Sequence, residues 1–105
     1  MSEHLPRYRV GQVIHHRRFN YRGVIVGVDP EFQGTEAWYQ LMATSRPPKD
    51  RPWYHVLVHN AGHRTYVAVR NLEPNPSGEQ IEHPELGEFF RAFSGSRYVP
   101  HGEDG

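Results

Sequence analysis

Between positions 7 and 22 the chain sets Arg7, Arg9, His15, His16, Arg17, Arg18 and Arg22 among Tyr8, Phe19 and Tyr21. Guanidinium groups in such a cluster can meet phosphates, and an interleaved apolar or aromatic side chain can touch a methyl group in a DNA groove. Arg7, Arg9, His16, Arg17, Arg18 and Arg22 are therefore candidate DNA contacts. The plainer reading is a solvated, Arg-rich turn with Tyr8 and Tyr21 packed in a core. A second set, Trp38, Tyr39 and Trp53, could present a peptide groove or a strand edge to a protein partner. Trp38 and Trp53 are more often core.

Other chemistries find little to build on. There is no Gly-rich phosphate loop, no cysteine nucleophile and no serine in a motif that sets it beside a base, so neither catalytic residues nor a cofactor are expected. The eight histidines do not form an evident metal site. His15 and His16 are adjacent and would face opposite sides of a strand. His55 and His59 would share a face but lie ~13 Å apart. The expectation is that His55 hydrogen-bonds within the fold and the other histidines are exposed.

Formal net charge is zero, which argues against indiscriminate coating of nucleic acid. The distribution is uneven. Residues 1–23 hold five Arg and one acid, whereas residues 73–105 hold two Arg and seven acids. Any DNA binding is then expected to be weak and steeply salt-sensitive. With no apolar run near the ~20 residues of a membrane span and no signal-like apolar stretch at the start, a soluble, cytoplasmic protein is expected.

The elements that must position these residues are mostly strands. Val10 to Ile14 leads through a turn with Asn20 and Gly23 into the β-branched run Val24 to Val28, a strand, loop and strand. Thr35 can cap a short helix reaching Thr44, with Trp38, Leu41 and Met42 on one face. Pro47, Pro48 and Pro52 end this excursion. Trp53 to His59 and Arg64 to Val69 read as strands joined by an Asn60 to His63 turn. Along the first of these, Tyr54, Val56 and Val58 form an apolar side and Trp53, His55, Leu57 and His59 a mixed one. Asn71 to Pro74 reads as a short helical turn. Leu86, Phe89, Phe90 and Phe93 fit i, i+3, i+4 and i+7, so a C-terminal amphipathic helix is expected over Pro84 to Phe93, with Glu82, Glu85 and Glu88 on its solvated face. Its phenylalanines would pack on the barrel or, if exposed, favour self-association into a homo-oligomer. The division is a polar lead-in at 1–9, a β-barrel domain at 10–73, and a linker, helix and polar tail at 74–105.

Val10-Gly11-Gln12-Val13 with His16, Tyr21 to Ile25 leading to Asp29-Pro30, Pro52 to Val56, and Tyr66-Val67-Ala68 together resemble the HspQ family, also described as YccV-like or hemimethylated-DNA-binding domains. The stretch from His83 through Phe93 to Pro100 is similar to the version of this domain that ends some eukaryotic F-box proteins. The resemblance implies a mainly β fold, an SH3-like β-barrel with a helical insertion and a C-terminal helix, acting in binding rather than catalysis. Two roles are implied: binding hemimethylated GATC DNA, or acting as a stress-response specificity factor or adaptor for an ATP-dependent protease of the Lon type.

Overall fold

The structure is a computed structural model that describes residues 7–77 and 79–102. Most of the polar lead-in, Gly78 of the linker and the last three residues of the tail lie outside the described residues. The main sheet is antiparallel and contains β1 (Val13–His16), β2 (Arg22–Asp29), β3 (Trp53–Val58), β4 (Arg64–Ala68) and β5 (Leu72–Pro74), in the order β4–β3–β2–β1–β5.

The chemistry of these strands is visible in their alternation. Ile14, Ile25, Tyr54, Val56 and Val67 turn to one side and gather with Tyr8 and Leu72. Their neighbours Val13, Val24 and Leu57 turn to the other, under Ile81, Phe90 and Tyr98. Trp53 and Ala68 share that second side and pack on Tyr39 and Ala43. The period of two thus feeds two cores, and the mixed face of β3 is buried at Trp53 and Leu57 while His55 alone is exposed. Tyr54 is fully buried, and its hydroxyl accepts the amides of Arg7 (2.9 Å) and Tyr8 (3.0 Å), which fixes those two residues on the sheet. Tyr54→Phe should lower the unfolding free energy by about 1–2 kcal/mol, because both amides lose an acceptor. Denaturant titration measures this, and an unchanged midpoint would show that the hydroxyl contributes nothing.

The expected barrel is open. β4 and β5 are the two edges of the sheet. A single 3-10 turn at Val69–Asn71 leads the chain off β4 and onto β1, where Ile14 pairs with Pro74 and His16 with Leu72. The helical turn expected at Asn71 to Pro74 therefore lies slightly earlier, and Leu72–Pro74 is strand. Between β4 and the β1–β2 turn the gap is spanned by side chains, the Tyr21 hydroxyl and Thr65 Oγ1 lying 2.7 Å apart, rather than by a ladder.

Helix α1 (Glu36–Met42) forms as its residues require: Thr35 Oγ1 accepts the Trp38 amide at 3.1 Å, which caps the first turn. The Pro-rich run that follows is held across the sheet by Tyr39, whose hydroxyl donates to the Pro47 carbonyl (2.7 Å), and by Trp53, whose indole N–H donates to that of Pro48 (3.1 Å).

The expected C-terminal helix is corrected to a hairpin. Only Leu86–Phe89 is helical (α2); Phe90, at φ −129° and ψ 146°, starts strand β6 (Phe90–Ser94), and β7 (Arg97–Pro100) returns beside it. Ser94-Gly95, which could end a helix, instead makes the hairpin turn with Gly95 at φ +68°. The hairpin gains what the helix would lack. Tyr98 and Val99 become buried, with Phe90 and Phe93 against Tyr98 at 5.2 and 4.7 Å between ring centroids. Phe90 is buried and Phe89 and Phe93 are half-buried on the second core, so these rings do not form the exposed stripe that would favour self-association. Glu85 is not on a solvated helix face either; its carboxylate accepts from Arg64 Nε at 2.8 Å.

Candidate nucleic-acid interface and aromatic groove

The β1–β2 turn is organised by one buried imidazole. His16 is 4% exposed, and its Nδ1 accepts the amides of Arg18 (3.1 Å) and Phe19 (3.0 Å). Two donors on Nδ1 require a neutral ring protonated at Nε2. Burial, reinforced by the charges of Arg18 and His15, pushes the His16 pKa down to about 4, which keeps it in that form at neutral pH. Asn20 takes the left-handed conformation (φ +57°), and Phe19 stacks on the His16 ring at 4.7 Å. Arg17, Arg18 and Phe19 consequently project from a fixed turn, with Phe19 65% exposed. His15 faces the other way, between Asn20 Oδ1 (2.7 Å) and Glu73 Oε2 (2.8 Å), and these hydrogen bonds raise its pKa.

The remaining cations expected near DNA are placed differently. Arg7 and Arg9 are exposed on either side of buried Tyr8. Arg22 is half-buried, its Nη1 donating to the carbonyls of Glu79 (3.2 Å) and Gln80 (3.4 Å) and tethering the segment after β5. Arg17 and Arg18 are thus the pair the fold sets together at an exposed tip, and His16 serves them from beneath. The expectation that histidines other than His55 are exposed fails at His16 and at His83, which is 9% exposed.

Beside the tip runs a groove. A cavity of about 460 Å³ lies between the turn, α1 and β4, lined by His16, Phe19, Trp38, Met42, Tyr66 and Val67 among others. A second hollow of about 320 Å³ continues past Trp38 and Tyr66 to His55, Gln33 and Asp29. The rings of Trp38 and Tyr66 stand 5.7 Å apart at 66°. The Tyr66 hydroxyl donates to Asp29 Oδ2 (2.6 Å) and accepts the Gln33 amide (3.0 Å), while His55 Nε2 lies 3.1 Å from the same carboxylate oxygen. Burial and the hydrogen bond to Asp29 push the Tyr66 phenol far up, so it stays a donor.

The β4 edge bordering this groove is open. The β3–β4 ladder ends in bonds from Val58 N to His63 O (3.3 Å) and from Val69 N to Pro52 O (3.0 Å). Antiparallel alternation then directs Thr65 and Val67 at β3, and the amides and carbonyls of Arg64, Tyr66 and Ala68 outward. Of the aromatics expected to meet a partner, Trp38 lines both hollows. Trp53 (1% exposed) and Tyr39 (8%) are buried, which corrects their reading as exposed contact residues: they are packing. Asp29, Tyr66 and Met42 are not among the binding residues expected from the sequence. Asp29 ends a strand, Tyr66 alternates within one and Met42 ends a helix, and their juxtaposition depends on register.

Two comparisons bear on these features. The family model described as "Hemimethylated DNA-binding protein YccV like" matches residues 6–97. F-box only protein 21 of Mus musculus is 37% identical over 98 residues, and that of Homo sapiens 36% identical over 98 residues. The match takes in 91% of this chain in both cases but only 16% and 15% of those relatives.

Proposed function

The chain belongs to the YccV-like family of hemimethylated-DNA-binding domains, and from that premise we propose that it is a non-catalytic module that grips duplex DNA with its β1–β2 turn. The observation that carries this reading is the rigid tip. Arg17 and Arg18 stand exposed on a turn whose amides are fixed by neutral His16, with the Phe19 ring beside them. Two guanidinium groups there can take successive phosphates, and Phe19 supplies the apolar surface on which a groove methyl could rest. With no net charge to add general attraction, affinity should be modest.

Fluorescence anisotropy with matched unmethylated, hemimethylated and fully methylated GATC duplexes tests this. The hemimethylated duplex should bind about 5-fold more tightly than the unmethylated one, for one apolar contact worth ~1 kcal/mol. Arg17→Ala/Arg18→Ala should weaken all three duplexes alike and flatten the slope of log K against log salt by about 2, one per lost phosphate contact. No binding at low salt, or an unchanged slope, would overturn the reading.

The groove favours a second reading, an adaptor that meets a protein such as a Lon-type ATP-dependent protease or its substrate. An open strand edge beside apolar walls suits an extended peptide. It separates from the first reading by the residues it needs, Trp38 and Met42 rather than Arg17 and Arg18.

A further inference from the structure

The aromatic cluster between α1 and β4 already binds one cation of the chain itself. Lys49 Nζ lies 4.4 Å from the centre of the Tyr39 ring and 6.0 Å from that of Phe32, with the Glu36 carboxylate in direct contact as its counter-charge. On the far side of the same cluster the combination recurs. Trp38 and Tyr66 meet at 66° and line a hollow that Asp29 also lines, with the His55 ring 4.6 Å from that of Tyr66. The cation–π contacts among the described residues fall on Tyr39, Phe32 and Phe89, whereas Trp38 and Tyr66 receive none.

We propose that the Trp38–Tyr66–Asp29 hollow binds the methylated ammonium head of a lysine side chain from a partner protein. A quaternary or highly methylated ammonium suits this lining because its charge is spread over methyl groups that contact ring faces, and it gives up little hydration on leaving water. Unmodified lysine is a compact, strongly hydrated charge and gains less here. Asp29 supplies the complementary charge while accepting from Tyr66 and His55, so its position is fixed before any cation arrives. A side chain, rather than a free small cation, is indicated by what adjoins the hollow. Trp38, His55 and Tyr66 also line the longer groove beside β4, whose outward groups at Arg64, Tyr66 and Ala68 can receive the backbone of an extended peptide. A strand added there would bring one of its side chains over Tyr66. This site is separate from the Arg17/Arg18 tip, and either can fail without the other.

The test is an NMR titration of the ¹⁵N-labelled chain with three capped, alanine-flanked peptides. One carries trimethyllysine, one lysine, and one the neutral isostere ending in tert-butyl. Tetramethylammonium chloride is the fourth probe. The trimethyllysine peptide should give saturable shifts at the Trp38 indole N–H and the Tyr66 amide, and bind about 5- to 30-fold more tightly than the neutral isostere, the range of a partly desolvated cation–π contact. Asp29→Asn should weaken it several-fold and Trp38→Ala should abolish it, while Arg17→Ala/Arg18→Ala leaves it unchanged. If Trp38→Ala does not fold, Asp29→Asn and the isostere carry the test alone. Equal binding of the neutral isostere, equal binding of tetramethylammonium, or no saturable shift at millimolar peptide would overturn the proposal.

Discussion

Gly11→Ala should destabilise the fold by about 3 kcal/mol or more, for two reasons that act at the same atom. Gly11 sits at φ +95°, beyond the left-handed well that even Asn tolerates. A Cβ built on it would also overlap the carbonyl of Tyr98. That carbonyl cannot easily give way. Gly11 N donates to Ile25 O (2.8 Å) and Tyr98 N donates to Gly11 O (2.8 Å), so this glycine, beside the Gln12–Arg97 bridge, helps hydrogen-bond the C-terminal hairpin to the main sheet. Moving the hairpin aside would expose Phe90 and Tyr98, which with Ile81 cover Val13, Val24 and Leu57. The thermal midpoint should fall by roughly 12–24 °C, at about 4–8 °C per kcal/mol for a domain of this size. Gly95→Ala is the control. Gly95 is also at positive φ (+68°), but an added Cβ meets nothing within 4 Å, so the cost should be limited to ~1 kcal/mol of backbone preference. A Gly11→Ala midpoint no lower than that of Gly95→Ala would show that the hairpin is not seated on Gly11.

The contrast between the two halves of the molecule shows what one sequence can convey. The central strands were legible because alternation is a local signal. Val13-Ile14, Val24-Ile25 and Val56-Leu57 each place one residue in each core, whatever the rest of the chain does. The Thr35 cap and the proline stop were legible for the same reason. Leu86, Phe89, Phe90 and Phe93 misled because their spacing satisfies a helix, while the decisive partners lie further along or far back: Tyr98, whose hydroxyl accepts the Ile81 amide at 3.0 Å, and Gly11. Closure of the sheet was equally illegible. Whether β5 meets β4 or only β1 is decided by three residues of 3-10 turn, and no local preference of Val69, Arg70 or Asn71 specifies the direction of the strand that follows.

The candidate sites divide along the same line. The Arg17-Arg18-Phe19 tip is contiguous and could be read directly, but its rigidity could not, because His16 looked like one more cation beside the arginines. Its neighbours show why: on β1 His15 faces Glu73 and solvent, and His16, one residue on, faces inward. The Trp38–Tyr66–Asp29 hollow draws on a helix and two strands, and its parts acquire meaning only through register, in which His55 pairs with Tyr66 across β3 and β4.

The buried state of His16 also sets how stability should depend on pH. Its pKa is about 4 in the folded protein against 6.5 for an unperturbed imidazole. Between those values the unfolded chain binds the proton that the folded chain refuses, so stability rises with pH across that window. The contribution is fully present above pH 6.5 and is lost as pH falls toward 4, amounting to about 2–3 kcal/mol. The cause is specific. A protonated Nδ1 could no longer accept the Arg18 and Phe19 amides, and a charge would be placed beneath Phe19 and beside Arg18. His15 works in the opposite sense. Its pKa is raised by Asn20 and Glu73, so its smaller contribution is present below pH 6.5 and is lost as pH rises through its folded value. Adjacent residues on one strand therefore oppose each other, and the summed profile should peak between their two windows. Denaturant titrations from pH 4 to pH 8 on the wild type and on His16→Gln, which removes the titration, should converge at low pH and diverge toward neutrality. NMR of the His16 ring should show a midpoint near 4. A midpoint near 6.5, or parallel pH profiles for the two proteins, would mean that the turn is open to water and that Arg17 and Arg18 are not held in place by the imidazole below them.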